Sequence, residues 1–135
     1  MLSNYPYNIN RSDRTHSPGG GVCILSRYSV NVIAVSIPQH VNCFDICAVD
    51  TVGVDTSVRF ITVYRPPSSD TDIDAVAAVK DLINCLNKLC DVDCTVVIVG
   101  DFNFPNIDWS DPVLVSDSDR CSVGLLFAQF AQYAM

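Results

Sequence analysis

The sequence predicts an α/β protein with antiparallel strand pairs and at least one crossover connection. Three observations carry this. Short strand-forming runs follow one another between residues 22 and 65. A helical pattern then occupies Asp72 to Cys90. Directly after it comes a further apolar run, Thr95 to Gly100. A helix between two strands is the connection that a parallel pair requires. The 135 residues suit one domain, with a polar N-terminal segment over 1–20 and a core over about 21–135.

The elements follow in order. Residues 1–20 are polar and rich in turn formers, ending in Ser17-Pro18-Gly19-Gly20-Gly21, a loop signal. Val22-Cys23-Ile24-Leu25-Ser26-Arg27 and the apolar run over 30–37 read as strands separated by Tyr28-Ser29, a spacing short enough for a hairpin. In the run over 43–52, Cys43, Asp45, Cys47 and Val49 alternate with Phe44, Ile46, Ala48 and Asp50. Both sets carry apolar residues, which predicts a strand covered on both faces. In the run over 58–65, Val58, Phe60, Thr62 and Tyr64 share one face, and Arg59, Ile61, Val63 and Arg65 the other.

Pro66 and Pro67 stop that strand, because proline cannot continue a ladder. Ser68, Ser69, Asp70 and Asp72 then offer caps for a helix start. Val76, Val79, Ile83, Leu86 and Cys90 recur at steps of three and four, which predicts a helix over 72–90. After the strand over 95–100 and an acidic loop, Val123, Leu126, Phe127, Phe130 and Tyr133 predict a second helix from about Asp119. The expected order is four strands, helix, strand, helix, in a domain cut short at its C-terminal end.

Composition narrows the function. Hydrophobic residues make up 49% and charged ones 17%, a globular balance with little charge to cover apolar surface. The net charge of −7 argues against indiscriminate nucleic-acid binding, which lysine and arginine drive. It leaves room for an enzyme that works on phosphodiesters through a metal ion and a few local basic contacts. The seven cysteines, 23, 43, 47, 85, 90, 94 and 121, form no Cys-x-x-Cys pair, and the histidines are His16 and His40. That pattern argues against zinc and for small apolar thiols in a reducing compartment. The first residues carry no basic and apolar leader, and no apolar run approaches the ~18 residues of a membrane span. The expectation is an intracellular protein, with nucleus and cytoplasm both open.

The chemistry-bearing stretch is Thr95-Val96-Val97-Ile98-Val99-Gly100-Asp101-Phe102-Asn103. If the strand stays extended, Asp101 and Asn103 point the same way and Phe102 points back into the core. A carboxylate can orient or deprotonate a water, and an amide can donate to charge building on a phosphorane. Asp and Asn also shape turns, and on spacing alone that is the stronger reading. Tyr64 ends its strand with a hydroxyl that can donate to a phosphate oxygen, or packs as an ordinary strand aromatic. Arg11 and Arg14 beside the Gly-rich turn can touch a phosphate backbone, or pair locally with Asp13.

Three segments in sequence carry a resemblance: Arg11-Ser12-Asp13-Arg14 with Gly19-Gly20-Gly21, then Tyr64-Arg65-Pro66-Pro67, then Gly100-Asp101-Phe102-Asn103. Together they resemble the endonuclease/exonuclease/phosphatase superfamily, in the branch at the front of non-LTR retrotransposon polyproteins, from about Arg11 to Trp109. The resemblance implies a four-layer α/β sandwich, two mixed sheets flanked by helices. It implies Mg²⁺- or Mn²⁺-dependent hydrolysis of DNA phosphodiesters by an activated water, with Asp101 the one indirect link to the metal. Asp101 matches the acid that handles the water, Asn103 the amide that stabilises the transition state, and Tyr64 the tyrosine on the scissile phosphate. Arg14 falls in a segment where a structural or DNA-backbone role is expected, and Arg65 is a further DNA-backbone candidate.

The family also carries a metal-binding Glu upstream and a Ser-Asp-His motif downstream. This sequence contains no glutamate, its 15 acidic residues all being Asp, and no Ser-Asp-His. The expectation is a domain truncated at both ends and weakly active or inactive alone. The expected partners are DNA and the rest of a retrotransposon polyprotein, with no membrane. The alternatives are another phosphodiesterase or phosphatase of the superfamily and a non-catalytic interaction module.

Overall fold

The computed structural model describes residues 6–14, 19–38, 43–53, 55–67 and 73–104. Within them the chain forms β1 (Tyr7–Ser12), β2 (Val22–Arg27), β3 (Val32–Ala34), β4 (Asp45–Thr51), β5 (Val58–Tyr64), α1 (Ile73–Cys90) and β6 (Thr95–Asp101). The second helix expected from about Asp119, the caps between Pro67 and Ile73, and both histidines lie outside the described residues.

The strands make two sheets, β1-β2 and β3-β4-β5-β6. The pairs β1/β2, β3/β4 and β4/β5 are antiparallel, and β5/β6 is parallel. Helix α1 provides the crossover that the parallel pair needs. This is the predicted α/β class, with the larger sheet mixed.

Two expectations change here. The hairpin across Tyr28-Ser29 does not form, because β2 pairs with β1 and β3 pairs with β4 in the other sheet. Tyr and Ser lack the positive-φ preference that a tight two-residue hairpin needs. They serve instead as the step between sheets, with Tyr28 N–H on the Pro6 carbonyl and Val30 N–H on the Arg27 carbonyl. The polar N-terminal segment also contains a strand, β1, whose Tyr-Asn-Ile-Asn-Arg-Ser sequence has little strand propensity of its own. Its ladder with β2 runs the full length from Tyr7↔Arg27 to Ser12↔Val22, so tertiary pairing overrides local preference.

Alternation along β4 and β5 sorts their residues between two faces as expected. Ile46, Ala48, Ile61 and Val63 face α1 and form the core with Val79, Leu82, Cys85, Leu86 and Leu89. The helix buries a wider stripe than the spacing indicated. Ala75, Leu82 and Leu89 are buried, whereas Val76, Ile83 and Cys90 are its half-buried flank. Asp74 in the first turn and Lys88 in the last complement the helix dipole. No helix among the described residues is long and apolar enough to cross a membrane.

The opposite face of β4 is covered by the small sheet, which buries Cys47 and Val49. That confirms a strand covered on both sides. The cover thins towards β5 and β6, where Phe60 and Val99 are 38% and 52% exposed. The described cysteines are free thiols. Cys47 and Cys85 are buried, but Cys23 and Cys43 are exposed, so the small-hydrophobe reading holds for only part of the set.

At the far edge of the core Arg59 donates from Nε and Nη2 to both carboxylate oxygens of its β4 partner Asp50, at 2.7 Å each. Its Nη1 donates to the Leu89 carbonyl at 2.8 Å, tying the sheet to the end of α1. The hydrogen bonds from Arg59 hold the Asp50 carboxyl below the usual carboxylate range. A carboxyl with a depressed folded pKa contributes stability above its unfolded value of about 3.9 and loses it as pH falls through the lower folded value. Denaturant titrations from pH 7 downward are therefore expected to lose stability below about pH 4, and Asp50→Asn to remove that part of the slope.

Candidate functional site

The site is built by strand register. Asp45 on β4 pairs with Tyr64 on β5, and Tyr64 pairs with Asp101 on β6. Directly paired residues project to the same side of a sheet, so the three form one row across three strands. The row lies on the face away from α1. Gly100 lets the two parallel strands stay close just before the row ends, since a Cβ there would run into the backbone of Val63.

Arg14 reaches the row from the loop after β1. Its Nη2 donates to Asp45 Oδ2 at 2.6 Å and its Nε to Oδ1 at 3.3 Å, while the Gly21 N–H donates to Oδ2 at 3.0 Å. The hydrogen bond with Asp45 raises the Arg14 pKa further, so the cation is permanent. The guanidinium carbon lies 5.8 Å from the centre of the Tyr64 ring. Gly20 and Gly21 have φ of +92° and +99°, and a side chain at Gly20 would collide with the Arg14 guanidinium. Gly20 thus leaves room for the Arg14 guanidinium against the backbone.

Beyond Asp101 the chain turns. Asn103 has φ of +48°, a left-handed conformation that Asn tolerates better than most residues. The alternation expected for an extended Asp101-Phe102-Asn103 therefore ends at Asp101. The Asn103 N–H donates to Asp101 Oδ1 at 3.3 Å, and its Nδ2 donates to the Arg65 carbonyl at 2.6 Å. Phe102 does pack against the core, and Phe104 is buried in it. Turn and candidate site are one object. Both residues shape the turn, and the turn brings the amide next to the end of β5.

Arg65 departs from its expected place. It is 5% exposed, donates to the carbonyls of Phe102 at 3.4 Å and Asn103 at 2.9 Å, and stacks over the Phe104 ring at 4.4 Å. Its own N–H donates to the Asp101 carbonyl at 2.9 Å. A guanidinium used this way supports the turn from inside. Arg11 pairs with Asp13 at 3.1 Å in solvent, as the local-pairing reading expected.

Sequence reasoning missed Asp45 as part of the site. The signal was present: an acid inside the apolar run Phe44 to Val49 needs a partner when it is half-buried. Among the described residues no group of three or more His, Cys, Asp or Glu is placed to hold a metal ion.

Fold and site together define an α/β protein whose polar row sits at the ends of adjacent strands, a placement suited to ligand chemistry. The family described as endonuclease-reverse transcriptase matches residues 58–132, more than half of the chain, and the chain belongs to that family. The match begins at β5, so it includes Tyr64, Asp101 and Asn103 but neither Arg14 nor Asp45. A comparison with curated proteins finds no match.

Proposed function

We propose that this chain engages the phosphodiester backbone of DNA, as part of a retrotransposon-type endonuclease that nicks target DNA so that reverse transcription can be primed. The observation that carries the reading is the convergence of Tyr64, Asp101, Asn103 and Arg14 at one end of the sheet, within a chain of the endonuclease-reverse transcriptase family. With a net charge of −7, DNA contact is local to this end and not spread over the surface.

Each residue has a defined task. Asp101 is exposed, and one of its oxygens holds the turn. The other oxygen orients or deprotonates a water. Asn103 is fixed by the Arg65 carbonyl through one amide hydrogen. Its second hydrogen is directed by that bond and donates to the charge that builds on phosphorus-bound oxygens. Tyr64 donates its hydroxyl, and Arg14 its guanidinium, to the non-bridging phosphate oxygens.

The family resemblance implies Mg²⁺ or Mn²⁺, which would neutralise charge and activate the water. Asp45 is engaged by Arg14, which leaves Asp101 as the one carboxylate of the row without a cation partner among the described residues. A lone carboxylate falls short of a metal site that stands without substrate phosphates. The contribution of the described residues is therefore to hold the phosphodiester and to orient the water against it.

Incubation with supercoiled plasmid and Mg²⁺ tests the reading. Very weak nicking or none is expected, and Asp101→Ala abolishes whatever is seen. Robust nicking by the wild-type chain contradicts the reading that the carboxylates of the described residues fall short of a metal site. Nicking that survives Asp101→Ala contradicts the assignment of Asp101.

A further inference from the structure

We propose that Asp45 is a positioning residue that sets which edge of Arg14 meets the phosphate. This rests on the phosphodiester reading above and deepens it. Asp45 accepts three hydrogen bonds, two from Arg14 and one from the Gly21 N–H, so one carboxylate holds both the arginine and the loop that carries it. The pair is sheltered, with side chains 10% and 24% exposed for Asp45 and Arg14. Register places Asp45 beside Tyr64, and Arg14 lies over that ring.

The consequence follows from the shape of the guanidinium. Its five N–H groups lie in a rigid plane. Asp45 takes one from Nε and one from Nη2, which fixes the plane and leaves the Nη1 edge and the second Nη2 hydrogen. A fork of two free N–H groups in fixed orientation can grip two phosphate oxygens. Released from Asp45, the same side chain would carry its charge on a flexible stem.

The alternative makes the opposite prediction. If Asp45 only neutralised Arg14, removing its charge would strengthen attraction to a polyanion. Binding of a short fluorescein-labelled DNA duplex to the full chain, followed by anisotropy, separates the two. Asp45→Asn keeps the side-chain volume and one acceptor, at the position shared by the Gly21 N–H and Arg14 Nη2, but turns an N–H₂ group against Arg14 Nε, so the plane is no longer fixed. The variant is expected to weaken binding about tenfold, matching Arg14→Gln, with the double variant no weaker than Arg14→Gln alone. Arg14→Lys keeps the charge without the fork and is expected to bind as poorly as Arg14→Gln.

Unchanged or tighter binding by Asp45→Asn overturns the proposal. If Asp45→Asn fails to fold, Arg14→Lys decides alone, and wild-type binding by that variant overturns it equally. If the wild-type chain shows no salt-sensitive binding, the phosphodiester reading falls and this inference with it. If the wild type binds and Tyr64→Phe weakens it while Asp45→Asn does not, only the inference falls.

Discussion

Gly100→Ala is expected to cost about 3 kcal/mol of folding stability and to abolish DNA binding. Gly100 sits opposite Val63 in the parallel ladder, one residue before the Tyr64–Asp101 pair. The added methyl would meet the carbonyl oxygen, carbonyl carbon and nitrogen of Val63. These are backbone atoms of a central strand, held on their other side by β4, so no side-chain rotation relieves the clash. The strands must part where the row of polar residues is assembled. Urea titration reads the loss as a lower midpoint with an unchanged slope. Val99→Ala is the control, since Val99 is next in sequence but half exposed, and a cost under about 1 kcal/mol is expected there. Equal costs at the two positions would show that the close approach at Gly100 does not matter.

Arg65→Met is the second large effect. The apolar stem of Arg65 stays approximately matched, but the donors to the Phe102 and Asn103 carbonyls disappear. The Phe102 and Asn103 carbonyls then lose these hydrogen bonds beside a buried side chain, at an expected total of about 2–4 kcal/mol. The Arg65 backbone carbonyl and N–H still bond the turn, but loss of the guanidinium donation to the Asn103 carbonyl loosens Asn103 in its left-handed conformation. Hydrogen exchange at the Asn103 amide is expected to accelerate more than exchange in the middle of β5. Arg65→Lys keeps an ammonium donor but not the planar guanidinium stacked over Phe104, and falls between wild type and Arg65→Met. If Arg65 instead served a DNA backbone, Arg65→Met would weaken DNA binding and leave both stability and Asn103 exchange unchanged.

What could be read in the sequence was set by local periodicity. The two faces of β5, the double cover of β4 and the bounds of α1 and β6 all follow from steps of two and of three or four, and all agree with the fold. What could not be read depends on partners distant along the chain. β1 has a polar sequence and exists through its ladder with β2, and the false hairpin at Tyr28-Ser29 reflects the assumption that neighbouring strands pair. Arg14 and Asp45 meet across 31 positions of sequence, and no local pattern links them. Asp101 and Asn103 were legible as residue types, but not their geometry. A single left-handed residue breaks the alternation and exchanges a straight strand end for a braced turn. The burial of Arg65 was not legible for a related reason: charge points to solvent by default, yet here the guanidinium donates to the Phe102 and Asn103 carbonyls.

The polar row and its turn are proposed to form a phosphodiester-binding site. A ¹H–¹⁵N correlation spectrum of the chain, titrated with a short DNA duplex in Mg²⁺ buffer, tests this most directly. The largest shift changes are expected at Arg14, Gly21, Tyr64, Asp101 and Asn103, diminishing as salt is raised. Shifts confined to α1 and its surroundings, or a spectrum unmoved by DNA, would contradict the proposal.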